Sequence, residues 1–174
     1  MKILLLSDTH SYFDPQITAY AEDCDEIWHA GDIGDLAVAE ALAAIRPLRA
    51  VYGNIDAPAV RHRYPEVQAW TCAGLRIYMT HIGNYPGKYP RRIRRVLDEQ
   101  QPDVFICGHS HILKVMRDPQ RGHLHLNPGA CGRHGFHRMK TMLRFQINDG
   151  QLTDLAAIEL GLRGQLTKAE QEED

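Results

Sequence analysis

The stretch "KILLLSDTH", Lys2 to His10, runs four consecutive aliphatic residues straight into Ser-Asp-Thr-His. A strand with one wet face alternates; an unbroken apolar run is covered on both faces, as at the centre of a parallel sheet. The following segments repeat the design. "EIWHAGD" (26–32) reads as a second short strand ending in Gly-Asp, and "LRAVYGN" (48–54) as a third ending in Gly-Asn. A helix is expected around Pro15 to Ala21. Another is expected over "DLAVAEALAAI" (35–45), with Ala and Leu at helical spacing, Asp35 as N-cap and Pro47 just past the end. The first part of the chain is therefore β-α-β-α-β, with parallel strands and helices on the sheet.

Beyond Asn54 the pattern changes. "VQAWTC" and "LRIYMTH" flank Ala73-Gly74 and predict a hairpin. A basic helix from about Lys88 to Glu99 leads to "PDVFICGHSH". Short strands follow in "LKVMRD", "GHLHLNPG", "TMLRFQIN" and "QLTDLAAIEL", the last two joined by the hairpin turn "NDGQ". This antiparallel half predicts a second sheet packed face to face on the first, with helices outside. At 174 residues, with no repeat or linker, the chain reads as one domain over 1–161. Residues 162–174 read as a charged, frayed tail.

Composition narrows the function classes. Hydrophobic residues make up 44%, charged residues 24%, and the net charge is −2, as for an ordinary soluble protein. The basic run "RRIRR" (91–95) is read as a solvated helix face, so no stable nucleic-acid complex is expected. The four cysteines form no C-x-x-C pair and are read as reduced structural thiols of a cytoplasmic protein. The opening "MKILLLSDTH" has too short an apolar run for a signal peptide or membrane span.

Polar clusters close the predicted strands: "SDTH" (Asp8, His10), "AGD" (Asp32), "YGNID" (Asn54, Asp56), "MTH" (His81), "CGHSH" (His109, His111) and "LNPG" (Asn127). Ligands of open α/β sheets bind at the carboxyl ends of strands, so these clusters would meet on one rim. Imidazoles, carboxylates and an amide, with no thiolate, suit Mn, Fe, Zn, Co or Ni. Asp8, His10, Asp32, Asn54, His81, His109 and His111 exceed the need of one ion. They match two ions if one carboxylate bridges, an arrangement suited to in-line displacement at phosphorus. Each residue alone carries little weight. His29, His62, His123, His125, His134 and His137 are read as ordinary surface or core histidines.

The ordered set "DTH", "GDIGD", "GNID", "TH" and "GHSH" resembles the calcineurin-like metallophosphoesterase superfamily. With "NPGACG" (127–132) and the chain length, it is most similar to that superfamily's small bacterial and archaeal phosphodiesterases, a group related to the retromer subunit Vps29. The resemblance spans roughly residues 1 to 160 and implies a four-layer α-β-β-α sandwich. It implies that Asp8, His10 and His111 bind one metal, that Asp32 bridges, and that Asn54, His81 and His109 bind the second. Asp32, Asn54 and His81 form the catalytic set. The cofactor expected is a pair of divalent ions, manganese first, with Ni, Co, Fe, Zn or Mg as alternatives. The activity implied is hydrolysis of a phosphodiester P–O bond by a metal-bridging hydroxide. A phosphomonoesterase, a nucleotide pyrophosphatase or a catalytically silent Vps29-like scaffold are the alternatives. The partner expected is a small phosphorylated substrate, without a membrane; a homodimer is compatible.

Many members of the superfamily read G-N-H-D or G-N-H-E, whereas this chain has Ile55 in the histidine position. Asp56 remains and is expected to have lost its imidazole partner. General-acid help of ~10²–10⁴-fold is then missing, and good leaving groups are favoured. Arg133 or His134 is a further candidate for substrate binding. Ser7 and Ser110 have no covalent role.

Overall fold

Lys2–Leu6 forms β1, and Ile3 to Leu6 are completely buried. Successive strand side chains point to opposite faces. Leu4 and Leu6 pack against α1 (Gln16–Ala21) and α2 (Leu36–Ile45), whereas Ile3 and Leu5 face the other sheet. The computed structural model describes residues 1–164. β1 pairs in parallel with β2 (Glu26–His29), which pairs in parallel with β3 (Leu48–Ala50). On its other side β1 meets β9 (Met139–Asn148) antiparallel, and β9 meets β10 (Gln151–Leu162), giving the order β10-β9-β1-β2-β3.

The second sheet contains β4 (Val67–Cys72), β5 (Leu75–Thr80), β6 (Val104–Ile106), β7 (Leu113–Arg117) and β8 (Leu124–Pro128), in the order β4-β5-β6-β8-β7. Trp28 fills the space between the sheets, edge-on to Trp70 at 4.9 Å and to Phe145 at 5.7 Å. Its indole N–H donates to Glu26 Oε2 at 2.7 Å, so its one polar atom is satisfied. On the outer side of the second sheet, Ile93 and Leu97 of α4 (Arg91–Gln100) pack on Tyr78 and Phe105. The layers are helix, sheet, sheet, helix, as the four-layer α-β-β-α expectation requires.

The hairpin turns follow their residue chemistry. Ala73 and Gly74 have φ of 43° and 91°, and Asp149 and Gly150 have 47° and 74°, the left-handed pairs that match strand twist. Three details differ from the sequence reading. Asp35 occupies the N-cap of α2, but its side chain makes no capping bond; its own N–H donates to Ser11 Oγ instead. A short helix, α3 (Pro58–Arg63), was not predicted. β10 continues to Leu162, and the Arg163 N–H donates to Arg138 O at 3.0 Å, so the fold reaches past residue 161. The rest of the expected tail, from residue 165, lies outside the described residues. No helix among them is long and apolar enough to cross a membrane.

Candidate metal centre

The parallel strands are in near register: Leu6 pairs with His29, His29 with Ala50, Met79 with Ile106, and Ile106 with Leu126. Their carboxyl ends therefore open on one rim. The loops beyond them bend sharply. Asp8, His10, Asp32, His109 and His111 all have positive φ, between 48° and 66°. Left-handed backbone costs a residue with a Cβ on the order of 1 kcal/mol or more and persists only where its surroundings enforce it. Here loop-to-loop hydrogen bonds enforce it. The Asp8 N–H donates to Gly31 O and the His10 N–H to Asp32 O, both at 3.0 Å, and the Gly108 N–H donates to His81 O at 2.9 Å.

The side chains gather into two adjoining groups, Asp8–His10–His111 and Asp32–His81–His109, each with its ligand atoms within 4.8 Å of one another. His111 Nε2 lies 3.1 Å from Asp8 Oδ1, and His81 Nε2 lies 3.2 Å from Asp32 Oδ1. His10 Nε2 stands between the groups, 3.9 Å from Asp8 Oδ1 and 3.7 Å from Asp32 Oδ2. The seventh residue, Asn54, is exposed in the turn after β3. Its neighbour Ile55 donates its N–H to Asp32 Oδ1 at 3.1 Å.

Two imidazoles have their tautomers set by what lies behind them. His81 Nδ1 sits 2.8 Å from Ala30 O, a pure acceptor, so Nδ1 carries a proton and Nε2 is the ring atom that faces the carboxylates. The same logic runs through two rings at His111. His137 Nε2 lies 3.0 Å from Gly132 O and must donate to it. His137 Nδ1 is then an acceptor, and His111 Nδ1, 3.2 Å away, must be the donor. That leaves His111 Nε2 as the inward-facing nitrogen, 3.1 Å from Asp8 Oδ1 and 3.3 Å from His10 Nε2. Such backing partners are what metal-ligating histidines use to fix tautomer and direction.

The charge pattern favours a cation. Burial opposes ionisation of Asp32, but the His81 ring and the Ile55 N–H outweigh it and hold the carboxyl below its ordinary range. His10 and His109 are shifted down, chiefly by burial, and favour neutral imidazole. Burial also disfavours the charged form of His81, yet Asp32 and Asp8 beside it prevail and raise its pKa. Two side-chain atoms at the centre, Asp8 Oδ1 and His81 Nε2, are buried and make no well-formed hydrogen bond; the polar atoms beside them, 3.1 and 3.2 Å away, belong to the same two groups. Buried polar groups left so are costly, by about 1–3 kcal/mol each or more when charged. A divalent ion on each group would satisfy both, and the O/N donor set fits it.

The surrounding residues correct several sequence readings. Asp56, with Ile55 rather than an imidazole before it in the chain, has a different role: its carboxylate accepts the N–H groups of Gly34 and Gly53, both at 2.7 Å, and fastens the loops that flank Asp32. It is a loop clasp rather than an idle orienting group for a ring at position 55, where Ile55 is 46% exposed. Gly108 is needed for close approach, since a Cβ there would lie 2.0 Å from Ser7 Oγ and 2.8 Å from Asp8 Oδ2. Asn127 Nδ2 donates to Gly108 O and Ser110 Oγ, tying down the "GHSH" loop. His29 is a core histidine: it accepts the Gly31 N–H and bonds Thr9 Oγ1 at 3.0 Å. His137, read as ordinary, backs His111, and His134 lies against His10 with ring centroids 5.0 Å apart. Arg133 stacks on Tyr12 at 4.1 Å. All four cysteines are free and buried, and burial pushes the Cys107 thiol up to about 12.

Residues 1–150 match the family model of the calcineurin-like phosphoesterase superfamily domain. The chain belongs to that superfamily. A probable metallophosphoesterase of Methanocaldococcus jannaschii is 31% identical over 137 residues, covering 75% of this chain and 68% of the relative. Among solved structures, a novel archaeal phosphodiesterase superposes with a TM-score of 0.69 at 21% identity, covering 92% of this chain and all of the other (100%). Entamoeba histolytica Vps29 in complex with Zn²⁺ gives a TM-score of 0.69 at 16% identity, covering 94% of this chain and 100% of that one. These two likenesses show that the superfamily's fold is shared. The superfamily membership and the two ligand groups together make divalent-metal binding the chemistry of this rim.

Proposed function

We propose that the protein is a metal-dependent phosphodiesterase with a dinuclear centre. One ion is held by Asp8, His10 and His111, the other by Asn54, His81 and His109, with Asp32 shared between them. The observation that carries this reading is the gathering of six Asp and His side chains into two adjoining groups, with Asp8 Oδ1 of one and His81 Nε2 of the other buried without a well-formed hydrogen bond. When bound, two such ions supply a nucleophilic water near neutral pH and neutralise phosphate oxygens.

The chain's own residues account for the rest. Asp8 and Asp32 bring the negative charge that a dication needs at a buried site. His81 and His111, backed by Ala30 O and His137, keep their Nε2 atoms aimed inward, where a bound ion would take the place of a proton. The strained loops hold these groups in place before substrate arrives, so little reorganisation remains at the reaction. Ile55 presents no proton, so the protein offers no general acid there. Diesters with good leaving groups are the preferred substrates, as in the notion of a phosphodiesterase that the archaeal fold neighbour supports. Manganese is the preferred ion of the Mn, Fe, Co, Ni and Zn group that this donor set suits.

The test is Asp32→Asn. It should abolish hydrolysis of bis(4-nitrophenyl) phosphate and lower the affinity of both ion sites, with the far-UV spectrum unchanged. Parent-like turnover in that variant would refute the shared role of Asp32.

A further inference from the structure

A cavity of about 380 Å³ opens beside the rim at Asn54 and His81. Its walls include Tyr52, Val67, Tyr78 and Ile82, and its polar edge is Glu66 with Arg92. The two ionic side chains pair at 2.8 Å. The Arg61 guanidinium lies over the Tyr52 ring at 4.9 Å and donates to Asn54 O and Asp56 O, so this flat cation–aromatic stack is fixed to the loop carrying Asn54. Ile82, directly after His81, is 45% exposed at the same place. The volume falls in the ~300–1,000 Å³ range of small-molecule sites, and the composition is theirs too: apolar and aromatic walls with a few placed polar groups.

Resting on the phosphodiesterase reading, we infer that this cavity receives the nucleobase of a nucleotide, whose phosphate lies at the Asp32–His81–His109 group. His81 belongs both to that group and to the cavity wall, so a phosphate held there would sit at the cavity mouth. A planar base suits aromatic and apolar walls through its π-face and suits a carboxylate–guanidinium edge through its donors and acceptors. An alkyl chain would satisfy the walls but desolvate Glu66 and Arg92 without recompense. A bare sugar phosphate would leave the apolar walls wet.

The experiment compares adenosine 5′-monophosphate, ribose 5-phosphate and adenosine by calorimetry on protein supplied with Mn²⁺. The mononucleotide should bind at least ~10-fold more tightly than ribose 5-phosphate, the scale of one base–aromatic contact. Val67→Trp, which fills the cavity, should remove that excess and leave ribose 5-phosphate affinity unchanged. Arg92→Ala, at a side chain 66% exposed and so without risk to folding, should reduce the excess severalfold. Equal affinities of the parent for the two phosphates, or an excess that survives both substitutions, would overturn the assignment. Should ribose 5-phosphate fail to bind while adenosine binds the parent and not Val67→Trp, the cavity assignment stands and the phosphodiesterase reading falls.

Discussion

His137 shows how a residue outside the ligand set governs one within it. Its Nε2–H is committed to Gly132 O, and this makes its Nδ1 the acceptor for His111. Removing it frees the His111 ring to turn or to take the other tautomer. His137→Phe is therefore expected to weaken the Asp8–His10–His111 site by ~10–100-fold and leave the other site close to normal. Competition between Mn²⁺ and a chelator, read by fluorescence, would measure both sites; equal weakening of the two would contradict the argument. The six Asp and His side chains that gather on the rim were legible in the sequence because each is of a metal-donor type and each follows the end of a strand. The backing residues were not. His137 and the exposed His62 of α3 look alike in sequence, and only the loop path distinguishes them. The role of Asp56 was hidden for the same reason, since its partners at Gly34 and Gly53 are backbone groups.

At the scale of elements, the rim depends on how closely the strand-end loops approach one another. Gly108, just after β6, sits so tightly against the loop after β1 that a Cβ would fall 2.0 Å from Ser7 Oγ. Gly108→Ala must move one loop away, and the His109 N–H bond to Asp8 Oδ2, 3.1 Å long, moves with it. A loss of about 1–3 kcal/mol in stability is expected, the usual scale of overpacking, together with weaker ion binding. Thermal unfolding and metal titration of the one variant would show it; unchanged values in both would mean that the loops yield freely. The parallel strands and both hairpins were readable because unbroken apolar runs and left-handed turn residues are strong local signals. Helix α3 was not. "PAVRHR" opens on Pro58 and ends in basic residues, but it is only six residues, its N-cap Ala57 makes no side-chain bond and it buries only Val60, so no apolar periodicity announces it. Asp35 is the converse case, a good capping residue whose side chain the α2 terminus does not use.

For the whole molecule, the residues alone indicated two sheets with helices outside, and the family resemblance supplied the four-layer order that the three core clusters display. Burying histidines in those layers has a consequence in acid. His125, beside Tyr89 OH at 3.0 Å, has its pKa pushed down to about 4 by burial, and His29 likewise to about 4. Between pH ~6.5 and about 4 the unfolded chain binds protons at these positions and the folded chain does not. Stability therefore falls as pH falls through that window, and their contribution is fully retained above it. His125→Phe leaves Tyr89 OH its bond to His123 and should flatten the melting temperature against pH between 6.5 and 4. Parallel curves for parent and variant would show that His125 is not one of the groups responsible. Whether two ion sites share Asp32 on this rim is decided by counting ions. Demetallated protein would be dialysed to equilibrium against Mn²⁺ and its metal content measured, for the parent and for Asp32→Asn. Two ions per chain are expected in the parent, with loss at both sites in the variant. A single ion in the parent, or two retained in Asp32→Asn, would contradict the sharing of Asp32 by two sites.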